Sequence, residues 1–366
     1  MKQENGGSKA LKTHIMEMAE IDDEILSLLR KRQKEAELLA QVRREVGMDV
    51  SDSGEEKAAL RRLISRGHPD LPREIVRAVF KEIFSAARSV QEPLTAVYLG
   101  PEGSFTHQAA VSLFGKSSSF EPAVGIEDVF SSVEKGECRR GVVPVEKAFE
   151  GSFHHTLDLF DRYDVTICGE ILLRMRYNLL TNTRELENIE KVYANPMASA
   201  QCRAWLKNHL PGVPIHEEES SSSAAQKAAA DSKAAALANR LSARIHGLQL
   251  MAEDIEDHPD NVTRFISIGK SRATRSGRDK TSIMFTVSHR PGSLYEMLKP
   301  LVKRRINMSR IESRPIRTRS WEYLFFVDLD GHEEDHDVSA ALKKMEEYSE
   351  SFRRLGSYPA AESPWP

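Results

Sequence analysis

Apolar residues recur at helical spacing, without strand-like alternation, through residues 11–90. This pattern predicts three successive helices. The first runs from about Leu11 to Val46, the second follows Ser53-Gly54, and the third follows a break at 68–72 that contains two prolines. Because three helices of such unequal length rarely close a core alone, we expect the first helix to pack against a second copy of itself in a dimer or higher homo-oligomer.

Strands and helices alternate after about residue 94, which is typical of α/β organisation. In chain order the predicted elements are a strand at 96–99, a helix at 105–114, a strand at 141–146, a helix at 152–163, strands near 165–173 and 177–181, and a βα pattern over 192–250. The serine cluster at 220–223 precedes an alanine-rich stretch and is predicted to cap a helix. Two lobes joined by crossing strands account for this order.

The polar run 271–280 holds three arginines and no large apolar residue, and we interpret it as a linker. The elements predicted beyond it are a strand at 282–287, a helix at 293–304, strands at 306–316 and 323–329, a helix at 337–348 and a short strand near 352–355. This βαββαβ order predicts a ferredoxin-like α+β unit. The predicted domains are therefore 1–92, 94–272 and 279–360.

Composition excludes several classes of protein. The 366 residues, 40% of them hydrophobic and 29% charged, fit two or three packed domains at ~150 residues each. The net charge of −3 and the lack of a basic motif with interleaved aromatic residues disfavour nucleic-acid binding. No membrane-length apolar run or signal-like start is found, so we expect a cytoplasmic protein that does not bind membranes. Cys138, Cys168 and Cys202 lack the spacing of a disulfide framework or a zinc site.

Arg32 interrupts an apolar stripe of the first helix. The stripe, in steps of seven, is Ile25, Arg32, Leu39 and Val46. Burying an unpaired guanidinium is costly, so Arg32 requires an internal partner or an anionic ligand. Arg43 follows roughly 16 Å further along nearly the same face, and two such cations suit a small dianion. The alternative is that both belong to a solvated charged face, because several neighbouring residues are also basic.

Residues 11–91 resemble the all-helical chorismate mutase family. The matching positions are Ile21-Asp22, Leu28-Leu29-x-x-Arg32, Val50-x-Asp52, Glu56 and Gln91. The resemblance implies an intertwined dimer that rearranges chorismate to prephenate, with Arg32, Arg43 and Gln91 as catalytic residues and Asp52 and Glu56 as substrate contacts. Ile15 and Glu55 replace family arginines, and Arg43 replaces a lysine. Two interpretations stay open: an active mutase, or a domain retained for dimerisation.

Residues 100–106 join a strand to a helix, with glycines that permit a tight backbone and the hydroxyls of Ser104 and Thr106 near the helix start. This arrangement suits a carboxylate, although an ordinary βα turn has the same appearance. Ser222 and Ser223 form a second hydroxyl-rich helix start in the other lobe. Two such starts facing a cleft would hold a substrate with two carboxylates.

Residues 95–270 resemble prephenate dehydratases. The matching motifs are Gly100-Pro101-x-Gly103-Ser104-Phe105, Val143-Pro144-Val145-Glu146, Thr156-Leu157-Asp158-Leu159, Ala200-Gln201-Cys202 and Asn261-x-Thr263-Arg264-Phe265. The resemblance implies a two-lobed fold like that of periplasmic binding proteins. It also implies decarboxylative dehydration of prephenate to phenylpyruvate without metal or organic cofactor.

The same resemblance implies roles for individual residues. Thr263 matches the donor to the departing ring hydroxyl, and Arg264 either pairs with a carboxylate or braces the loop. Glu146 and Lys147 are expected substrate contacts. Lys147 and Ala148 stand where the family has Asn and then Ser or Thr, so Lys147 either adds a carboxylate contact or fills the pocket.

Residues 281–356 resemble the ACT regulatory domain. The matching segments are Pro291-Gly292-Ser293-Leu294 and Glu312-Ser313-Arg314-Pro315. The resemblance implies that these segments bind L-phenylalanine at a dimer interface, with backbone N–H groups on its carboxylate and Glu312 on its ammonium. A glycine cap and a surface ion pair are the alternative.

The domain order is similar to that of the bifunctional chorismate mutase and prephenate dehydratase family, with L-phenylalanine as effector. Two other functions stay open. One is a catalytically degenerate phenylalanine sensor or partner protein, and the other is an arogenate dehydratase.

Overall fold

The computed structural model describes residues 4–46, 53–67, 70–91, 94–148, 151–315, 323–361 and 364. The N-terminal unit consists of α1 (Glu4–Glu45), α2 (Ser53–Ser65) and α3 (Arg73–Gln91). The three helices predicted from the sequence are therefore confirmed. Helix α1 begins seven residues before the predicted start at Leu11.

Helix α1 leaves most of its apolar residues exposed. Among the described elements, α3 is the helix on which α1 packs most extensively. The stripe residues Ile25 and Leu39 are each 49% exposed and Val46 is 63% exposed. Within the described residues of a single chain this stripe is therefore largely exposed, as expected for a helix that is predicted to pack against a second copy of itself.

The first lobe of the central unit begins the α/β part. Its elements are β1 (Thr95–Leu99), α4 (Phe105–Phe114), β2 (Ser119–Ala123), α5 (Ile126–Lys135), β3 (Arg140–Lys147), β4 (Gly151–Ser152), α6 (His154–Arg162) and β5 (Thr166–Arg174). Helix α4 has the predicted bounds, because Ser104 caps its start and Gly115 its end. Strand β2 and helix α5 were not predicted.

The second lobe follows β5 directly. Its elements are β6 (Asn178–Thr181), β7 (Lys191–Ala194), α7 (Pro196–Gln201), α8 (Arg203–His209), β8 (Ile215–Glu217), α9 (Ser221–Ala229), β9 (Ala234–Ala238), α10 (Arg240–His246) and β10 (Gln249–Ala252). They form a five-stranded sheet in the order β10-β6-β9-β7-β8. Ser220 caps α9, as the serine cluster predicted.

The chain returns to the first lobe as β11 (Val262–Gly269). This strand runs antiparallel between β3 and β5, which completes a six-stranded sheet in the order β2-β1-β3-β11-β5 with β4 beside β3. Both connections between the lobes, 175–177 and 253–261, therefore leave the sheet near the start of β11. The two predicted lobes and their crossing strands are confirmed.

The C-terminal unit has the predicted βαββαβ order. Its elements are β12 (Asp279–Thr286), α11 (Ser293–Lys303), β13 (Met308–Pro315), β14 (Tyr323–Asp330), α12 (His336–Tyr348) and β15 (Ser351–Pro359). The sheet order β13-β14-β12-β15 is ferredoxin-like. Its last strand continues to Pro359, beyond the predicted end near 355.

The C-terminal sheet packs on the first lobe through the face that its own helices leave open. Met284, Phe326 and Leu355 join one apolar core with Ile266 and Ile268 of β11. On the opposite face, α11 and α12 close a separate core. The regulatory-type unit is thus joined to the sheet that contains Thr263.

The polar run 271–280 is a packed connection. Arg61 of α2 donates to the carbonyl of Ser276 at 2.6 Å, and the Ser276 hydroxyl donates to Asp279 at 2.6 Å. The run thus connects β11 to β12, as the linker interpretation predicts, and the helical unit binds it through its polar groups. None of the helices in the described ranges combines the length and apolar character of a membrane span.

Candidate functional site

Thr263 lies near the start of β11, at the edge from which both connections leave for the second lobe. Its side chain is 2% exposed, and its hydroxyl has no hydrogen-bond partner among the described residues. A buried hydroxyl without a partner costs free energy, by about 1–3 kcal/mol. Such a group is uncommon in native proteins and calls for an explanation, and a catalytic role is one of those known.

Lys147 is the cross-strand neighbour of Thr263 on β3. Residues directly opposite in an antiparallel pair have side chains on the same face of the sheet. The Lys147 ammonium nitrogen reaches the sulfur of Met197, 3.2 Å away in the second lobe, and lies 5.4 Å from the centre of the Phe153 ring. Thr263 therefore shares the face of the sheet that meets the second lobe, beside a cation.

Arg264 and Glu146 also oppose each other, one residue along the same two strands, and they lie on the other face of the sheet. Arg264 is 6% exposed and donates to Glu170 at 2.7 Å, to the Tyr358 hydroxyl at 2.8 Å and to Asp328. The structure thus does not bring Glu146 and Arg264 together with Thr263. They are separated because successive side chains along a strand point to opposite faces of the sheet.

The ion pairs of Arg264 are strong enough to overcome burial. Burial opposes the charged forms, but Arg264 and Lys280 outweigh it and lower the pKa of the Glu170 carboxyl. The charges of Asp328 and Glu170, with Tyr358, likewise outweigh burial and raise the pKa of Arg264. Removing one partner from such a buried pair typically costs about 3–5 kcal/mol.

The loop before α4 docks on two helix starts of the second lobe. The carbonyl of Gly103 accepts from Asn239 at 2.8 Å and from Ser242 at 2.9 Å, and the Ser222 hydroxyl donates to the carbonyl of Glu102. These contacts join the lobes directly. Sequence analysis missed Asn239 and Ser242, although Asn-x-x-Ser spacing is a helix-cap signal that identifies them.

Three of the four hydroxyls predicted to hold carboxylates, those of Ser104, Ser222 and Ser223, have structural partners. The Ser104 oxygen accepts from the backbone of His107 and donates to the carbonyl of Leu99, both at 3.2 Å. Ser223 forms a capping box with Ser220. Thr106 is buried in the first turn of α4. The Ser222 hydroxyl bonds to the opposite lobe.

Two histidines lie at the same junction. The Nδ1 of His107 accepts from the backbone of Gly103 at 3.1 Å, and its ring stacks on Tyr98 with centroids 4.5 Å apart. The Nε2 of His246 lies 3.2 Å from the Ser222 hydroxyl. Burial lowers the pKa of both rings, against the opposing charge of Glu102, which favours the neutral imidazoles.

In the helical unit, Arg32 lies over the ring of Phe84, with its guanidinium carbon 5.0 Å from the ring centre. Burial lowers the pKa of Arg32, against the attraction of Glu56. Arg43 is 9% exposed and pairs with Glu55. One of the two predicted cations is thus occupied by the carboxylate that replaces a family arginine.

Arg88 was missed by sequence analysis. It lies one turn before Gln91 on α3 and pairs with Glu56, and this spacing is a signal that identifies it. Its Nε is buried and has no hydrogen-bond partner among the described residues. Asp52 is outside the described residues, and the structure describes Gln91 only as the last residue of α3.

A cavity of about 150 Å³ lies between α2, α3, α4 and the end of β15. Its charged lining residues are Glu56, Lys57, Arg77, Lys81, Arg88 and Glu170. Burial lowers the pKa of Lys81 to about 8, although Glu82 opposes this effect. The cationic excess of this lining suits an anion.

The two predicted effector-binding segments have different surroundings. Gly292 is exposed and begins α11 with a positive φ of 87°, and the Ser293 hydroxyl lies 3.2 Å from that of Ser288. Leu294 packs on the core under α11. Gly292 and Ser293 therefore form a helix start that the described residues leave partly open.

On β13, Glu312 faces the first lobe. It accepts from the Ser152 hydroxyl at 2.9 Å and lies 3.3 Å from the His154 Nε2. Arg314 pairs with Asp158 at 3.3 Å, and Ser313 is exposed. Glu312 and Arg314 thus join the C-terminal unit to α6. In the described part of the chain, no three His, Cys, Asp or Glu side chains are grouped as a metal site requires.

Comparison with known proteins adds independent evidence. Family models match residues 15–92 (chorismate mutase type II), 96–273 (prephenate dehydratase) and 281–347 (ACT domain). A bifunctional chorismate mutase/prephenate dehydratase of Aquifex aeolicus is 40% identical over 349 residues, covering 94% of this chain and 96% of the relative. Its counterpart from Neisseria gonorrhoeae is 39% identical over 344 residues, covering 93% and 94%.

A solved structure gives the same result for the fold. The prephenate dehydratase of Arthrobacter aurescens, in complex with L-Phe, is 34% identical and superposes with a TM-score of 0.67, covering 75% of this chain and 92% of that one. Fold and site together define a three-part protein: a helical mutase-type unit, a two-lobed dehydratase-type unit and an ACT unit. The chain belongs to the bifunctional chorismate mutase/prephenate dehydratase family.

Proposed function

We propose that this protein converts prephenate to phenylpyruvate, carbon dioxide and water. The observation that carries the proposal is the buried Thr263 hydroxyl, which has no hydrogen-bond partner in the described chain and lies beside Lys147 where the two lobes meet. The cost of such an unsatisfied group is explained if a substrate hydroxyl completes its hydrogen bonding. Membership of the family supports the same reaction.

The proposed chemistry needs orientation and one hydrogen-bond donor. The bond from the ring to its carboxylate breaks and the carboxylate leaves as carbon dioxide. The electrons of that bond form the aromatic ring, and the ring hydroxyl departs as water with a proton that is taken up from solvent. Thr263 donates a hydrogen bond to the departing oxygen. A positioned donor of this kind is typically worth ~10²- to 10⁴-fold in rate. Lys147 pairs with one substrate carboxylate.

The remaining predicted contacts are also proposals. Ser104 and Thr106 in the first lobe and Ser222 and Ser223 in the second belong to helix starts on the two sides of the lobe junction. They support a substrate that is bound between the lobes with its carboxylates near backbone N–H groups. Glu146 and Arg264 lie on the opposite face of the sheet and influence the site from that face.

The test is to supply prephenate to the purified protein and to follow the absorbance of phenylpyruvate, with Thr263→Ala as control. We expect rapid product formation by the parent protein and a large loss in the variant. A parent protein that forms no product would favour the non-catalytic phenylalanine sensor, and faster turnover of arogenate would favour an arogenate dehydratase. Equal rates for parent and variant would contradict the proposed role of Thr263 as donor to the departing hydroxyl.

Rearrangement of chorismate to prephenate is a second proposed activity. It is supported by the cations grouped on α1 and α3, of which Arg32 contacts Phe84 and Arg88 pairs with Glu56. This pericyclic reaction requires cations that hold two carboxylates, with no acid, base or nucleophile. We expect Arg32→Ala to abolish chorismate consumption. Unchanged consumption would contradict the role given to Arg32 and, with it, to Arg43 and Gln91.

We also propose that the C-terminal unit binds L-phenylalanine as effector. The exposed helix start at Gly292 and Ser293 supplies backbone N–H groups for a carboxylate, and Glu312 on β13 supplies a carboxylate for an ammonium group. Calorimetric titration with L-phenylalanine tests this site. Glu312→Gln is expected to weaken binding, and unchanged affinity in that variant would exclude Glu312 as the ammonium partner.

A homodimer or higher oligomer is proposed from the apolar surface of α1. The exposed large apolar residues of this helix and its end include Leu11, Ile15, Met16, Met18, Ile21, Ile25, Leu28, Leu39, Val42 and Val46. A surface of this extent favours a protein partner. Light scattering measures the mass of the assembly, and a monomer at micromolar concentration would contradict the proposal. The domain bounds 1–92, 94–272 and 279–360 and a cytoplasmic location stay predictions.

A further inference from the structure

Arg264 and Thr263 are consecutive residues on β11 that face two different units. Thr263 and its neighbour Lys147 face the lobe junction, whereas Arg264 and its neighbour Glu146 face the C-terminal unit. We propose that Arg264 is a positioning residue through which the C-terminal unit controls the placement of the Thr263 hydroxyl. This inference rests on the dehydratase function proposed above.

The contacts of Arg264 tie β11 to the C-terminal sheet. Its guanidinium donates to Asp328 on β14 and to the Tyr358 hydroxyl on β15. Ser282 on β12 lies 2.6 Å from the same Tyr358 hydroxyl. Two strands of the C-terminal sheet therefore bind the Arg264 side chain directly, and the third supports it through Tyr358.

Glu170 on β5 strengthens this attachment. It accepts from Arg264 at 2.7 Å and from the backbone N–H of Ala361 at 2.8 Å, and the ammonium of Lys280 lies 3.0 Å from it. Lys280 belongs to β12, and Ala361 follows β15. The partners of Arg264 within its own lobe are thus themselves bound to the C-terminal unit.

Strand β13, which carries the proposed effector residue Glu312, also contacts Glu146, the cross-strand neighbour of Arg264. Arg310, two residues before Glu312 on β13, lies 3.4 Å from the Glu146 carboxylate and donates to Ser152 at 2.6 Å. Glu312 accepts from Ser152 as well. A ligand that draws Glu312 away from Ser152 therefore changes the surroundings of Glu146, the neighbour of both Arg264 and Lys147.

A cavity of about 180 Å³ adjoins these contacts and leaves space for movement. Its polar lining residues are Glu146, Arg264, Lys280, Ser309, Arg310 and Asp328. The polar side chains at this point can therefore rearrange into the cavity, while the apolar contacts of the same sheet with Ile266 and Ile268 lie farther along β11. Because Thr263 precedes Arg264 and is joined to it by one peptide bond, movement of Arg264 also moves the Thr263 hydroxyl. A misplacement of about 1 Å at a catalytic group can cost ~10²-fold in rate.

The test uses two isosteric variants of the full-length protein, Tyr358→Phe and Asp328→Asn. Each removes part of the attachment of Arg264 and leaves Thr263 and Lys147 unchanged. We expect kcat for prephenate to fall by ~10-fold or more while KM stays within ~3-fold. We also expect the L-phenylalanine concentration for half-inhibition to rise by ~5-fold or more.

Arg353→Ala is the matched control. Arg353 on β15 also joins the C-terminal unit to the first lobe, through the carbonyls of Phe160 and Tyr163, but at the end of α6 and away from β11. A purely structural role for the docking predicts the same kinetic changes in all three variants, and that result would overturn the inference. So would parent-like kcat and inhibition in Tyr358→Phe and Asp328→Asn.

Assays of the parent protein distinguish failure of the proposed dehydratase function from failure of the inferred coupling. Absence of prephenate turnover in the parent contradicts the proposed function itself. A parent that turns over prephenate but does not respond to L-phenylalanine contradicts the inferred coupling alone. Thermal unfolding of each variant shows whether it has folded, and Tyr358→Phe, which loses a single hydroxyl, decides the test if Asp328→Asn does not fold.

Discussion

A methyl group on Gly103 would lie 2.8 Å from the hydroxyl oxygen of Ser222. A Cβ atom at this position would therefore force the hydroxyl groups of Ser222 and Ser242 in the second lobe to shift. Gly103 also has a φ of 83°, which L-residues rarely adopt. This glycine allows the two lobes to meet.

Gly103→Ala is predicted to hold the lobes apart. We expect KM for prephenate to rise about 10-fold, which corresponds to ~1.4 kcal/mol of lost binding. The matched control is Gly212→Ala in the second lobe, where φ is 82° and no atom lies within 4 Å of the added carbon. Equal KM values in the two variants would show that backbone strain alone, not lobe contact, explains the effect.

Glu55→Gln is predicted to increase chorismate affinity. Glu55 pairs with Arg43 in the structure, so its carboxylate competes with a substrate carboxylate for this guanidinium. We expect a several-fold lower KM for chorismate in the variant, at roughly 1 kcal/mol for one partly exposed ion pair. The measurement is the steady-state loss of chorismate absorbance. An unchanged KM would place Arg43 outside the substrate site.

Lys81→Met is predicted to stabilise the protein near neutral pH. Burial lowers the pKa of Lys81 to about 8 in the folded state, against ~10.4 in an unfolded chain. Below pH 8 both states carry the proton, and the folded state bears a cost of about 3 kcal/mol. As pH rises from 8 to 10.5, the folded state loses its proton first and this cost disappears.

Thermal unfolding of Lys81→Met and the parent at several pH values tests the predicted direction of this pH dependence of stability. We expect the variant to be more stable at pH 7, with the difference shrinking towards pH 10.5 as the parent gains stability. A difference that is constant with pH would show that Lys81 is not desolvated in the folded protein.

Local sequence signals were sufficient for much of the fold. Helix α4 was predicted to the residue because Ser104 and Gly115 define its two ends, and the βαββαβ order followed from clear alternation and turns. Strand β2 was missed because Ser119–Ala123 includes a proline and has no alternating pattern. Local patterns also did not reveal that the run 271–280 packs on α2.

The candidate site was only partly predictable. Its motifs located Thr263, Lys147 and Arg32, and the strand period implies that Thr263 and Arg264 face opposite sides. The partners of Arg264, however, are 64 and 94 residues away along the chain, and no local pattern encodes such contacts. The pairing of Arg43 with Glu55 was not predicted either, because these residues belong to two different helices whose packing no local pattern encodes.

Thr263→Val is predicted to lower activity without destabilising the protein. Valine has nearly the same shape and removes a buried hydroxyl that has no partner in the described chain, so stability should stay equal or rise. Thr181→Val is the matched control. The Thr181 hydroxyl is also buried, but it donates to the carbonyl of Ala234 at 2.7 Å, so this variant should lose about 1–3 kcal/mol of stability and keep its kcat.

The most direct test of the account is kcat for phenylpyruvate formation from prephenate in Thr263→Val relative to the parent protein. We predict a loss of ~10²- to 10⁴-fold in kcat in a variant that unfolds at or above the parent temperature. Parent-like turnover by this folded variant would contradict the claim that the unsatisfied hydroxyl of Thr263 acts on the departing group of the substrate.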